Sequence, residues 1–366
     1  MLRRIISYFD NGKVNVVLIV VWYKNADVHR NIALIGAGHW GQNYVRVLSE
    51  MGALSWVCDR DPEVLSSIAH SLPDVNCTGD ISDVLNNDAV QGVVIATPNG
   101  THFHIAKIAL LHGKDVLVEK PMCLELEEGL GLVSLSEESG TVLMVGHLMH
   151  YHPAIIKLKT LVESGELGTV KRIRSERCNT NSCSDECALR SFAVHDLSLL
   201  PCIAGDSTKI LECSGVLCDA HTYRSVHIRL ACLEGASSEI LAAYESVQKV
   251  RRMVIVGSEH TAVFDDVADD KLILCSSVPL GSSNDGMTVD TRKGTVVPIE
   301  QAEPLRLECE HFVHCMQTRK TPLTDGKEAL RVLSLVDSAR KLLENDLPCS
   351  SAYATSVYHP SLSRNR

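Results

Sequence analysis

From residue 31 onward, short apolar runs alternate with stretches of helical periodicity. Residues 31–36 (NIALIG), 53–59 (ALSWVCD), 91–97 (QGVVIAT), 115–119 (DVLVE) and 141–146 (TVLMVG) are nearly continuous in apolar side chains. Such runs suit strands buried on both faces. Between them, residues 39–51, 61–72, about 101–112 and 124–139 carry helix spacing. Pro62 fits a first helical turn and Thr101 can cap the helix that follows it. Strands alternating with helices in this way predict a doubly wound parallel sheet.

The rhythm changes after Gly146. Residues 153–164 and 195–204 read as helices, and 169–177 alternates like a strand with one exposed face. Further strands are expected over 208–217, 225–232, 238–247, 251–256 and 271–276, and two closing helices over 304–318 and 325–343. Consecutive alternating strands of this kind pair mainly antiparallel. The expected fold class is α/β: an N-terminal Rossmann doubly wound parallel sheet plus a C-terminal α+β domain with a mainly antiparallel open sheet. The expected divisions are an extension over 1–30, a dinucleotide-binding domain over 31–150, a substrate-binding and oligomerisation domain over 151–345, and a tail over 346–366.

Composition narrows the function. With 366 residues and 45% apolar content the chain can bury two cores. A net charge of -10 leaves no basic excess for a general nucleic-acid binder, though a local pocket can still be positive. The 14 cysteines contain no CxxC, so they read as reduced thiols of a cytoplasmic protein. Cys183 and Cys187 have the wrong spacing for a zinc site. The apolar run at 14–23 is too short to span a bilayer, and no firm membrane association is expected.

Chemistry enters at Gly36-Ala37-Gly38-His39-Trp40-Gly41. This GxGxxG follows a strand and opens a helix, the context in which it binds a dinucleotide. Gly36 permits the tight turn, Gly38 lets the backbone approach a pyrophosphate, and Gly41 lets helix and strand pack. The pyrophosphate then meets the helix N-terminus beside His39 and Trp40. Asp59 ends the second strand, where a carboxylate accepts from ribose hydroxyls and repels a 2′-phosphate, so NAD is expected over NADP. Arg60 keeps NADP open. Thr97, Pro98, Asn99 and His102 follow the 91–97 strand and face the same crevice, unless they form a plain strand-to-helix turn.

Glu119-Lys120-Pro121 ends the 115–119 strand. A charged pair there is costly unless used or exposed. Lys120 could bond a reacting hydroxyl, stabilise its alkoxide and contact the nicotinamide ribose; a solvated lysine is the plain alternative. His195 opens a helix and could take a hydroxyl proton at neutral pH. Whether Asp196 touches that imidazole is not readable from adjacency. His147, His150 and His152 are too loosely spaced for a metal, and no metal is expected. Lys171, Arg172, Arg174 and Arg177 lie on one strand, as a solvated face or a nucleotide diphosphate contact.

The ordered set of Gly36–Gly41, Asp59, 96–102, Glu119-Lys120-Pro121, Gly146-His147, 150–153 and His195-Asp196 closely resembles the Gfo/Idh/MocA oxidoreductases over about residues 30–345. That resemblance implies that Lys120 is the catalytic lysine and His195 the catalytic histidine. It also implies a homodimer or homotetramer. Residues 151–177 with 191–196 look most like the branch that oxidises the C3 hydroxyl of a UDP-N-acetylhexosamine or its uronate. On that footing His147, His150, Tyr151, Arg177 and Asp196 are candidate substrate contacts. Two positions depart from the family pattern: Ser191 stands where many members have an Asp, and His150 where many have an Arg. A free sugar or cyclitol substrate, and a nucleotide-binding relative without turnover, are the rival readings.

Overall fold

The computed structural model describes residues 31–180, 187–205, 208–219, 222–232, 235–276 and 289–345. The segments 1–30 and 346–366, the apolar run at 14–23, and Cys183 lie outside these. Among the described residues no helix is long and apolar enough to cross a membrane.

Strands with no solvent-facing side make the first sheet. β1 (Ile32–Ile35), β4 (Gly92–Ile95), β5 (Asp115–Glu119) and β6 (Leu143–Gly146) are buried at every position. With β2 (Leu54–Cys58) and β3 (Asn76–Thr78) they form a parallel sheet in the order β3-β2-β1-β4-β5-β6. The chain turns outward on opposite sides of β1 and β4, so a crevice opens at the carboxyl ends of those two strands. Helices α1 (Gly41–Glu50), α2 (Pro62–Ser71), α3 (Ile81–Leu85), α4 (His102–Leu111) and α5 (Leu126–Ser139) complete this layer. β3 and α3 were not expected. β3 is three residues long at an edge with no buried residue, so it carries no apolar run to read.

After α6 (Pro153–Glu163) comes a second sheet of eight strands. They are β7 (Val170–Cys178), β8 (Lys209–Leu217), β9 (Tyr223–Ala231), β10 (Ser237–Ala243), β11 (Val250–Gly257), β12 (His260–Asp265), β13 (Leu272–Ser276) and β14 (Thr295–Val296). All pairs are antiparallel except β7 with β10. β9 shows the logic: Val226, Ile228 and Leu230 are buried while His227 and Arg229 between them face outward. α7 (Val194–Ala204) packs on the buried face. The strand expected over 238–247 stops at Ala243, because Glu245 takes φ 59 and Val247 is fully exposed. β12 was missed because four consecutive buried residues hide any alternation.

Two late helices tie the layers together. α8 (Pro304–Thr318) returns to the first sheet, where Leu305, Cys309, Phe312 and Cys315 join Tyr44, Leu34 and Val94 in one core. The turn before α9 (Gly326–Asn345) is bonded to β6: Val145 N–H donates to Thr324 O at 2.8 Å, and Thr324 Oγ1 donates to Val145 O at 2.7 Å. That turn delivers the first residues of α9 to the crevice.

Candidate active site

The glycine turn is shaped by exclusion. Gly36 has φ +90, and a Cβ there would lie 2.7 Å from Thr97 Cγ2 and 2.8 Å from the Ala96 backbone. A Cβ on Gly41 would stand 2.2 Å from Gly36 O, whereas one on Gly38 would meet nothing within 4 Å. Gly38 therefore presents bare backbone to open space. α1 begins without a side-chain cap and without an acidic residue in its first turn. Its N–H groups and positive dipole end remain available to an anion. Asp59 accepts from Ala37 N–H at 2.6 Å and Asp61 N–H at 2.9 Å, which fixes its carboxylate at the mouth of the turn. This cradle fits a dinucleotide pyrophosphate with a ribose at Asp59. His39, Trp40 and Arg60 are exposed around it.

The second wall is built by a buried histidine. His102 places Nδ1 2.7 Å from Pro121 O and Nε2 2.7 Å from Thr97 O. Its ring is fully buried, so it shapes the crevice by tying these two loops together. Thr101 does not cap α4; its hydroxyl lies 2.7 Å from both Thr97 Oγ1 and Pro98 O. Pro98 is exposed and Asn99 half-buried beside it.

Glu119 organises the lysine turn. Its Oε2 accepts from Lys120 N–H at 3.1 Å. Its Oε1 accepts from Tyr44 Oη at 2.8 Å and from Trp40 Nε1. The carboxylate thus links Lys120 to the glycine turn. Gly146 lets the carboxylate lie close against β6, since a Cβ there would stand 3.2 Å from the carboxyl carbon.

His195 enters from the second sheet. A five-residue π turn, Leu189–Ala193, delivers it to the start of α7. Such turns are rare and recur at functional sites. Nδ1 is buried without a partner, although the ring as a whole is partly open. Burial first, then the charges of Lys120 and Arg177, His147 and Arg251, hold this imidazole well below the usual histidine range. It is a neutral base facing cationic surroundings. His147 is pushed down to about 3 by burial and by Lys120. Lys120 is thereby a cation whose charge both neutral imidazoles feel.

Asp196 does not orient His195. Its carboxylate takes Arg177 Nε at 2.8 Å, Arg177 Nη2 at 3.1 Å and Ser175 Oγ at 2.7 Å. Arg177 and Asp196 are both buried and consumed by each other, so they stiffen the wall behind His195. The basic stretch on β7 is divided: Arg172 pairs with Glu239 and Arg174 with Glu176 away from this wall. His150 and Tyr151 are likewise buried. Lys159 Nζ lies 3.1 Å from His150 Nδ1, and Tyr151 Oη lies 3.1 Å from Thr324 Oγ1. All four are buried and already partnered inside the protein.

Three site residues escaped the sequence reading. Glu328 lies 3.8 Å from His147 Nε2 and 3.7 Å from His150 Nε2, with both oxygens buried and unbonded. Glu308 contacts Tyr44. Arg251 lies over the Phe192 ring at 5.1 Å and donates to the carbonyls of Cys178 and Val250. A signal existed for both acids. Glu308 interrupts the apolar stripe Leu305, Cys309, Phe312, and Glu328 the stripe Ala329, Val332, Val336.

Burial raises Glu328 from 4.5 to about 8. Between those pH values the unfolded chain releases a proton that the folded chain keeps, so stability is full below 4.5 and declines as pH rises through 8. Glu328→Gln removes that loss. Its melting temperature should equal that of the parent near pH 4.5 and exceed it at pH 8, by the equivalent of a few kcal/mol. A pH-independent difference in thermal scans would contradict this burial.

A profile of an oxidoreductase family with an NAD-binding Rossmann fold matches residues 30–147. That profile is the Gfo/Idh/MocA model, and it covers the coenzyme half of this chain. The UDP-N-acetylglucosamine 3-dehydrogenase of Acidithiobacillus ferrooxidans is 24% identical over 87% of this chain and 98% of its own length. Its solved structure superposes with TM-score 0.76. The NAD-dependent scyllo-inositol 2-dehydrogenase of Bacillus subtilis is 23% identical over 86% of this chain and 94% of its own. The WlbA dehydrogenase of Bordetella pertussis, solved with NADH and UDP-GlcNAcA, is 20% identical over 87% of this chain and 97% of its own, with TM-score 0.72. Against the Gfo/Idh/MocA pattern, Ser191 is buried within the π turn, so no carboxylate reaches His195 from that position.

Proposed function

We propose that this chain is an NAD-dependent dehydrogenase that oxidises the C3 hydroxyl of a UDP-N-acetylhexosamine or its uronate. The observation that carries this reading is the Glu119 carboxylate joining the glycine turn to the Lys120 turn, with the neutral, partly open His195 within electrostatic reach of the Lys120 ammonium. Gly36, Gly38, His39, Trp40 and Gly41 would hold the pyrophosphate, Asp59 the adenosine ribose, and Thr97, Pro98, Asn99, Glu119 and Lys120 the nicotinamide end. Asp59 disfavours a 2′-phosphate, and exposed Arg60 is the residue NADP would use. NAD, when bound, supplies the hydride acceptor.

The protein does the proton work. Lys120 donates to the substrate oxygen and steadies its developing charge. His195 accepts the hydroxyl proton, its ring being held in the unprotonated form near neutrality. Arg177 and Asp196 hold the histidine's helix, and His147 is a second neutral imidazole that feels the ammonium. The cationic surroundings of His195 favour an anionic substrate: Lys120 and Arg251 are both within its electrostatic reach. Residues 31–150 would act as the coenzyme domain and 151–345 as the substrate and assembly domain of a cytoplasmic homodimer or homotetramer.

The free-sugar and cyclitol reading is supported by the likeness to the inositol enzyme. A substrate panel separates the two. UDP-N-acetylglucosamine and its uronate should reduce NAD with kcat/KM at least about 100-fold above myo- or scyllo-inositol, a gap of roughly 2.7 kcal/mol. Faster turnover of the cyclitols would replace this substrate assignment, and turnover of no polyol would replace the enzyme reading.

A further inference from the structure

One hydroxyl serves two buried carboxyl groups. Tyr44 Oη lies 2.8 Å from Glu119 Oε1 and 3.2 Å from Glu308 Oε2. A tyrosine has a single O–H proton to donate. It satisfies one carboxylate, and the second contact is favourable only if the other acid donates its own proton to Oη. Glu119 is already committed as an acceptor: it receives Trp40 Nε1, Lys120 N–H and Tyr44 Oη. Glu308 is fully buried, and its Oε1 has no partner. The groups that face Glu308 are Glu119 from β5, Tyr44 from α1, Tyr151 from the turn ahead of α6, and Cys309 on its own helix. None of the four can be a cation.

We propose that Glu308 is held as the neutral carboxylic acid and donates its proton to Tyr44 Oη, leaving Glu119 as the charged carboxylate that links the glycine turn to Lys120. Glu308 is a positioning residue, acting through Tyr44 and Glu119. Burial, and next the Glu119 charge, raise its carboxyl well above the usual range, consistent with this geometry. When Glu308 ionises at alkaline pH, two carboxylates compete for one hydroxyl and repel each other. Glu119 then loosens its hold on Trp40 and on the Lys120 turn. The proposal rests on the reading of the glycine turn as the coenzyme site.

The test has two arms. Infrared spectra of the coenzyme-free protein at neutral pH should show a protonated-acid carbonyl band, sensitive to deuterium exchange, that is missing in Glu308→Gln. Calorimetric titration with NAD from about pH 6 to about pH 9 should show parental affinity weakening with pH, by about fivefold or more. Glu308→Gln, whose amide N–H replaces the acid O–H, should bind within about twofold of the parent at neutral pH and lose that pH dependence. Glu308→Leu should bind about 10-fold more weakly throughout, since Tyr44 loses its donor. An unchanged infrared spectrum in Glu308→Gln overturns the proposal. If the parent binds no NAD at any pH, the coenzyme reading falls while the infrared arm still decides the state of Glu308.

Discussion

Lys120→Ala is expected to lower kcat by about 10³-fold while the dissociation constant for NAD changes by less than about threefold. The asymmetry follows from where the side chain stands. The pyrophosphate cradle is made by backbone at Gly36, Gly38 and Gly41 and keeps its shape without the ammonium. The charge on the substrate oxygen, in contrast, develops only during reaction, so its donor acts on the transition state. Removing the ammonium also lifts one of the charges that depress His147 and His195. Both imidazoles should therefore titrate higher in the variant, and residual activity should fall at a higher pH on the acid side. Single-turnover rates measured against pH, beside calorimetric NAD titrations, check both parts. Equal losses in binding and in kcat would assign Lys120 to coenzyme attachment alone.

Gly41→Ala and Gly38→Ala should fail in different ways. At position 41 the added methyl meets a backbone carbonyl at 2.2 Å, and a backbone atom cannot rotate away. Helix α1 must shift from β1, at a cost of about 1–3 kcal/mol or more, and NAD affinity should drop at least about 100-fold. At position 38 the methyl enters open space. That variant should melt with the parent and still lose affinity, because the methyl occupies the approach of the pyrophosphate. Thermal scans paired with NAD titrations separate the two. A Gly38→Ala protein with full affinity would mean that no ligand comes close to this backbone.

The coenzyme half was legible because its signals are local. β1, the glycine turn, Asp59 and the Glu-Lys-Pro triplet each sit where one strand ends, and strand ends in a parallel sheet converge. The substrate half was less so. Arg177 and Asp196 are far apart in sequence, and only the register of β7 against α7 shows that they satisfy each other. Their charges suggested a ligand where the structure provides an internal pair. His150 was similarly read as a contact when Lys159 and the Ser198 carbonyl occupy its ring nitrogens. Glu308 and Glu328 were missed for the opposite reason. Each lies inside an apolar helical stripe, where a carboxyl should cost free energy, and that cost marks a buried polar group with a task. β3 and β12 were hidden because neither an exposed edge of three residues nor a fully covered central strand alternates.

The return of α8 to the first sheet has a consequence for how the chain is made. During synthesis β1 to β6 leave the ribosome well before Phe312, Cys315 and Met316 exist to cover Tyr44, Gly92 and Val94. The nascent coenzyme half therefore waits with an oily flank uncovered until α8 has emerged, and its maturation is tied to that later helix rather than to its own final strand.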